Sequence, residues 1–415
     1  MFNHIYNKKN FLWLNLSSAS LIVVVNQISV LITLPHLANN LGIYGFAILA
    51  KALIVYQIGV VLMDYGCNYC AIYFVKGEEE ENIKLKNIIL PIYLIKIIIY
   101  IFIIIIFSLL NYYFNLTHFD NKLFLSIIFT IFFAGINPYW IYQLLEKNIY
   151  LLGSTIISRI FFLYIVFFYI KDETNIYSYF LALGLGFIII NLVGLYHFRF
   201  LRLTTQGLSF FFKILKISTR YFLSALININ FNSLWGLALL FMGGPIQLVY
   251  FNLADQGYRA FYILCSVIPV NLYSRFSKIK DFKTSYKNSI YLSIIIIFIY
   301  LCGMLLINPI MIIIFDISYY PASRFIIIYL VASLFLSLSG LFGYPILGIL
   351  KNSKFVRNII LFGGFLNLFG LVIWVLLLEK LIIYIILLHL FINSFIFFLI
   401  IFFIFIFRKR ANKLS

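Results

Sequence analysis

The sequence predicts an all-α polytopic membrane protein, with about twelve transmembrane helices in two six-helix halves and both termini cytoplasmic. Three observations predict it. Of 415 residues, 64% are hydrophobic and only 11% charged, with a mean hydropathy of +1.05, and a globular exterior needs more charge than that. The apolar runs are continuous and reach the roughly 20 residues that a helix needs to cross a bilayer, where barrel strands would alternate. The basic residues gather in alternate connections, as they do in the cytoplasmic loops of membrane proteins.

Taken in order, the first span covers 11–34, ended by Pro35 and the polar LANNLG that follows. It is too long for the core of a signal peptide and lacks a small-residue cleavage site, so it reads as an uncleaved span. The second covers 43–63. An acidic loop, Glu78 to Glu81 between Lys76 and Lys84, reads as solvated. The third span is 87–110 and the fourth 123–145, where Asn137-Pro138 predicts a kink because proline removes a backbone hydrogen bond. Spans five and six cover 149–170 and 177–198. The connection 199–220 follows, and its LSFFFKILKI reads as a basic amphipathic helix on the membrane surface. The second half repeats the plan with spans at 221–242, 247–270, 289–315, 322–350, 356–378 and 381–407.

Charge sets the orientation. With the N-terminus inside, the inner segments hold 23 basic residues, among them Lys8, Lys9, Lys84, Lys86, Arg199, Arg202, Lys213, Lys216, Arg220, Arg408, Lys409 and Arg410. The outer ones hold only Lys122, Lys171, Arg324 and Lys380. The organisation is therefore an N-terminal lobe at 1–198, a basic cytoplasmic linker at 199–220 and a C-terminal lobe at 221–415. The net charge of +18 is the sum of such loops, and no nucleic-acid partner is expected. FAILAKA at 46–52 echoes YFNLADQ at 250–256, early in the second helix of each half. Internal repeats of this kind are common in transporters.

Ionisable residues within spans are costly, about 2.5–3.5 kcal/mol on insertion scales, and usually face protein or a wet cavity. Here they are Lys51 and Asp64 on the second span, Lys96 on the third, Arg159 on the fifth, and Asp255 with Arg259 on the eighth. Lys51 and Arg159 have no local partner and are candidate cavity cations; an arginine suits bidentate phosphate binding. Asp255 and Arg259 share a helix face by their i, i+4 spacing. Arg259 is a candidate for an anionic head group, and Asp255 is either its structural partner or a coupling site. Asp64 is a second coupling or charge-balancing candidate, or sits at the interface. Lys96 reads as snorkelling from a helix end. Trp140, just after the Pro138 kink, is a candidate for stacking on a sugar face, although most aromatics here must face lipid.

Cys67 and Cys70 form a CxxC that lacks a second pair or a nearby histidine to complete a zinc set. They read as small buried residues at a helix end, and no metal or cofactor is expected. A glycine-rich nucleotide loop is missing, which argues against ATP-driven transport by this chain. The sequence also shows no HExxH and no large outer loop with paired carboxylates, as a polymerase or ligase would need.

Three stretches carry a resemblance: NQISVLITLPHLANNLGIYGFAILAKAL, the MDYGCNY that follows, and VYFNLADQGYRAFYILCSVIPVNLYSRFSK. With these, the chain resembles the Wzx-type polysaccharide (O-antigen) flippases of the multidrug/oligosaccharidyl-lipid/polysaccharide exporter superfamily. Pro35, Leu41-Gly42, Gly45-Phe46, Asp64-Tyr65-Gly66, Ala254 and Arg259-Ala260 match the family pattern. Many members carry a lysine beside Ala254, where Asp255-Gln256 stands here.

The resemblance implies two lobes around a central, often cationic cavity in the inner membrane of a bacterium. It implies translocation of an undecaprenyl-pyrophosphate-linked oligosaccharide (O-antigen or capsule repeat unit) to the outer leaflet by alternating access. Proton or sodium coupling is implied, with a polysaccharide polymerase and a chain-length regulator as partners. The alternatives are a cation-coupled drug exporter of the same fold, which favours acids where Lys51, Lys96 and Arg159 stand, and a membrane polysaccharide polymerase or ligase.

Overall fold

The computed structural model describes residues 8–75, 81–113, 119–145, 147–198, 207–228, 231–279, 282–347, 353–377 and 381–414. Every regular element among them is helical. Nine described stretches are long and apolar enough to cross a membrane. Exposed Ile101, Phe102, Ile105 and Ile106 on one of them show that the apolar surface faces outward, as a lipid solvent requires. The acidic loop lies outside the described residues except Glu81, and so does 199–206 of the expected linker.

The chain divides into two compact units, Met1–Leu226 and Ile227–Ser415. The first holds α1 (Lys8–Asp64), α2 (Cys67–Val75), α3 (Glu81–Tyr113), α4 (Asn121–Gly135), α5 (Tyr139–Leu144), α6 (Asn148–Tyr169), α7 (Tyr177–Phe198) and nearly all of α8 (Leu208–Asn228). The second holds α9 (Phe231–Met242), α10 (Pro245–Ile279), α11 (Phe282–Ile314), α12 (Ala322–Phe342), α13 (Ser353–Leu377) and α14 (Ile382–Leu414).

Three breaks shape the first unit. As one straight rod, the 57 residues of α1 would be about 85 Å long at 1.5 Å each, far beyond a hydrocarbon core of about 30 Å. The rod is interrupted at Gly42, with φ +62° and ψ −179°, a conformation essentially reserved for glycine. The break thus falls at Gly42, the last residue of the LANNLG stretch expected with Pro35 to separate the first two spans. Pro35 stays inside the helix, where it costs one hydrogen bond without ending the element. Leu37, Ala38 and Leu41 beyond it are buried.

The second break is Tyr65-Gly66, both with positive φ, +43° and +68°. The third separates α4 from α5 at the expected Asn137-Pro138, where Asn137 Oδ1 accepts the Tyr139 N–H at 3.0 Å. That side-chain bond replaces a backbone one at the turn.

Around these breaks the unit forms two cores. In one, α1, α4, α6 and α7 pack together. In the other, Cys67, Cys70, Ile88, Ile92, Trp140 and Ile214 gather α2, α3, α5 and α8. α8 carries the expected amphipathic sequence, with Leu208, Phe212, Lys213 and Lys216 exposed and Ile214 and Ser218 buried. It runs past the expected end at 220, because its buried face continues onto Gly66 through Phe222. Within the expected span 221–242, the end of α8 and the twelve residues of α9 are helical on either side of 229–230, which lie outside the described residues.

In the second unit α12 is central, packing on α10, α11 and α14. Tyr300 on α11 hydrogen-bonds Ser333 and Ser337 of α12 at 2.6 and 2.8 Å, and Ser333 donates to the Tyr258 carbonyl of α10 at 3.0 Å. Small hydroxyl residues let helices approach closely and hydrogen-bond across their interface.

The breaks yield a test. Gly42→Ala meets open space but must take a glycine-only conformation, at about 1–3 kcal/mol. Gly66→Ala adds a collision, since its Cβ would lie 2.6 Å from the Phe222 nitrogen and the Ser218 carbonyl. Thermal denaturation in detergent is therefore expected to show a larger drop for Gly66→Ala. Equal drops would mean that the contact with α8 yields freely.

Candidate functional site

Lys96 is buried, 2% exposed on α3, so it does not snorkel as expected. Its ammonium donates to the Gly135 carbonyl at 2.8 Å. Gly135 ends α4, where the Pro138 break stops the helical ladder: Ile136 and Asn137 N–H reach back to the Phe132 and Ala134 carbonyls, Asn191 donates to that of Phe133, and Lys96 serves Gly135. The negative end of the helix dipole attracts a cation there. Asp64, which ends α1, lies within electrostatic reach of Lys96 and accepts hydrogen bonds from the Gly66 backbone and the Asn68 side chain. These charges therefore join three helix ends: α1, the start of α2 and the end of α4.

Arg159 on α6 occupies a different setting. Its Nε donates to Asn26 Oδ1 at 2.7 Å. The guanidinium lies 5.8 Å from the Phe162 ring and 5.9 Å from the Phe187 ring, within range of cation–π attraction. The Tyr56 and Tyr179 hydroxyls are within its electrostatic reach. Asn26 precedes the Gly42 break and Tyr56 follows it, so both segments of α1 address one cation on α6. No carboxylate pairs with Arg159 among the described residues. Lys51, also on α1, is half-buried, and no described residue pairs with it.

Trp140 is placed differently from the expectation. It is 2% exposed within the apolar cluster of α2, α3, α5 and α8, with Tyr93 at 6.3 Å. A ring so enclosed packs the core and presents no face to a sugar.

In the second unit, Asp255 and Arg259 form the ion pair that their spacing predicts, Oδ2 to Nε 2.7 Å. Their exposures differ: the Arg259 side chain is 31% exposed and that of Asp255 7%. Tyr258 stacks on Tyr329 with ring centroids 4.5 Å apart, and the Tyr329 hydroxyl is within electrostatic reach of both charges. Arg259 also borders a cavity of about 550 Å³ inside this unit. Asn26, Tyr56, Tyr179 and Tyr329 were not singled out from sequence. An asparagine inside the first apolar run was a visible signal, but single tyrosines among so many carried none.

A model of the family described as "Polysaccharide biosynthesis protein" matches residues 12–280, more than half of the chain. The chain belongs to this family. The match includes Lys51, Asp64, Lys96, Arg159, Asp255 and Arg259.

Solved structures share the fold. An inward-facing multidrug resistance MATE family transporter of the MOP superfamily superposes with a TM-score of 0.67 at 12% identity, covering 95% of both chains. A eukaryotic MATE transporter gives 0.60 at 12% identity over 97% of this chain and 99% of the other. A MOP superfamily transporter from Pyrococcus furiosus, described as having a binding pocket of reverse polarity, gives 0.53 at 12% identity over 94% and 95%. No curated protein matches the sequence. The chain is thus a multi-pass membrane protein of the polysaccharide biosynthesis family with a MATE-like transporter fold.

The Lys96 lock can be tested apart from function. Lys96→Met leaves the Gly135 carbonyl buried without its donor and Asp64 without its cation, at a cost of about 1–3 kcal/mol for an unsatisfied group. Adding Asp64→Asn is expected to restore part of the loss. Strictly additive losses in thermal stability would show that the two charges do not interact.

Proposed function

We propose that this protein is a flippase. It moves an undecaprenyl-pyrophosphate-linked oligosaccharide, an O-antigen or capsule repeat unit, from the inner to the outer leaflet of a bacterial cytoplasmic membrane. The observation that carries the reading is Arg159, an interior cation without a described carboxylate partner, set among an asparagine, tyrosine hydroxyls and aromatic rings. A diphosphate-sugar head needs a polar, cationic path through hydrocarbon, while its polyprenyl tail can stay in lipid. Membership in a polysaccharide biosynthesis family supports the substrate class. The division into two compact units supports alternating access, in which one helical bundle rocks against the other. Lys51 and Arg259 are further candidate contacts for the anionic head. Asp255 is the candidate for binding a coupling proton or sodium ion, and Asp64 balances Lys96.

The competing reading is a cation-coupled drug exporter, favoured by the multidrug transporters among the structures that share the fold. An interior arginine without a described acid disfavours a cationic drug and favours an anionic head.

Arg159→Ala removes a charge-assisted contact worth about 1.5–3 kcal/mol, roughly ten- to a hundredfold in affinity. It is expected to abolish transport of a fluorescent lipid-linked oligosaccharide by purified protein in liposomes, with Arg159→Lys retaining part. Lys51→Ala is expected to weaken transport as well. Full transport by both alanine variants, or drug efflux without lipid transport by the wild type, would overturn the reading.

The second unit gives a separate outcome. Asp255→Asn and Arg259→Gln alone are expected to lower thermal stability. The exchange Asp255→Arg with Arg259→Asp should restore stability but not transport, because it moves the cation away from the cavity wall. Full transport by the exchanged protein would make the pair purely structural.

A further inference from the structure

The cavity beside Arg259 lies wholly within the second unit, lined by α10, α12, α13, α14 and the π-helical turn Gly343–Leu347. Its volume of about 550 Å³ falls in the roughly 300–1,000 Å³ range of small-molecule sites. Two polar side chains on its wall are more than nine-tenths buried, His389 at 4% and Asn367 at 7% exposed. Each is held by one atom. His389 Nδ1 hydrogen-bonds the Tyr329 hydroxyl at 2.7 Å, and Asn367 Nδ2 donates to the Gly363 carbonyl at 3.2 Å. Each leaves its other atom, His389 Nε2 and Asn367 Oδ1, buried with no partner among the described residues. Buried polar atoms are rarely left so, because each costs about 1–3 kcal/mol.

The wall restricts what can satisfy them. A bare cation would meet Arg259, and Asp255 is not part of the lining. A fully ionised phosphate or carboxylate has no hydrogen to give Asn367 Oδ1, which only accepts. A hydroxyl both donates and accepts, so neighbouring hydroxyls satisfy both atoms whichever tautomer His389 adopts. The rest of the wall includes the Tyr258 and Tyr262 rings and apolar side chains such as Ile360 and Ile396, surfaces for the C–H face of a pyranose. We infer that this cavity is a sugar subsite, in which His389 and Asn367 bind hydroxyl groups of a neutral monosaccharide unit. The inference rests on the flippase reading for the source of that sugar: one unit of the transported oligosaccharide, with Arg259 at the rim toward its anionic end.

The test compares two lipids on purified protein in nanodiscs: the undecaprenyl-pyrophosphate-linked oligosaccharide extracted from the source cells, and sugar-free undecaprenyl pyrophosphate. Wild-type protein is expected to bind the sugar-bearing lipid about tenfold more tightly. In Asn367→Leu, close in shape to the native residue, that ratio is expected to fall to about one. His389→Gln, which keeps a polar group near Tyr329, is expected to lower it too and guards against misfolding of the first variant. A wild-type ratio of one overturns the inference, and so does a full ratio in both variants, which would leave the cavity to water alone. In either case the flippase reading stands. Binding of neither lipid by the wild type would overturn both.

Discussion

Inside hydrocarbon, a broken helix must find protein partners for the backbone groups that it frees. The first unit depends on how this constraint is met. α4 stops at Gly135 because Pro138 cannot continue it, and Lys96 reaches from α3 to its last carbonyl. Asp64 faces that ammonium from the end of α1, and the Asp64-Tyr65-Gly66 turn brings α8 into backbone contact. One buried cation thus ties together a proline break, a glycine turn and an amphipathic helix. Lys96, expected to snorkel, and Asp64, a coupling or charge-balancing candidate, meet at this end of the bundle.

The same logic separates Lys96 from Arg159. Both are bases within apolar helices. Lys96 is spent on a carbonyl and balanced by an acid. Arg159 is held by a neutral amide and by ring faces, which orient it without cancelling its charge. That contrast, rather than the mere presence of cations, makes α6 the centre of the proposed anionic path. The Gly42 break matters to it, because it divides α1 so that Asn26 and Tyr56 lie on separate segments yet serve the same guanidinium.

In the second unit, polarity takes another form. Asp255 and Arg259 neutralise each other, and the network around them is built from tyrosine, serine, asparagine and histidine. Such a lining selects by hydrogen-bond geometry more than by charge.

How much of this could be read from the chain depends on range. Apolar runs, clustered bases and the Pro138 break are local signals, and they determined the helical membrane class, the kink in the fourth span and the Asp255–Arg259 pair, which needs only one helix turn. Within the stretch expected to end the first helix, the helix runs on through Pro35 and breaks at Gly42, because a membrane helix tolerates a proline and the backbone conformation at Gly42 does not continue a helix. The burial of Lys96 and Trp140, the ring of groups around Arg159 and the shared cavity wall of His389 and Asn367 were decided only by tertiary packing. They join residues far apart in the chain, and the environment that makes a lysine a lock or an arginine a binding group comes from helices that its own sequence neighbourhood does not contain.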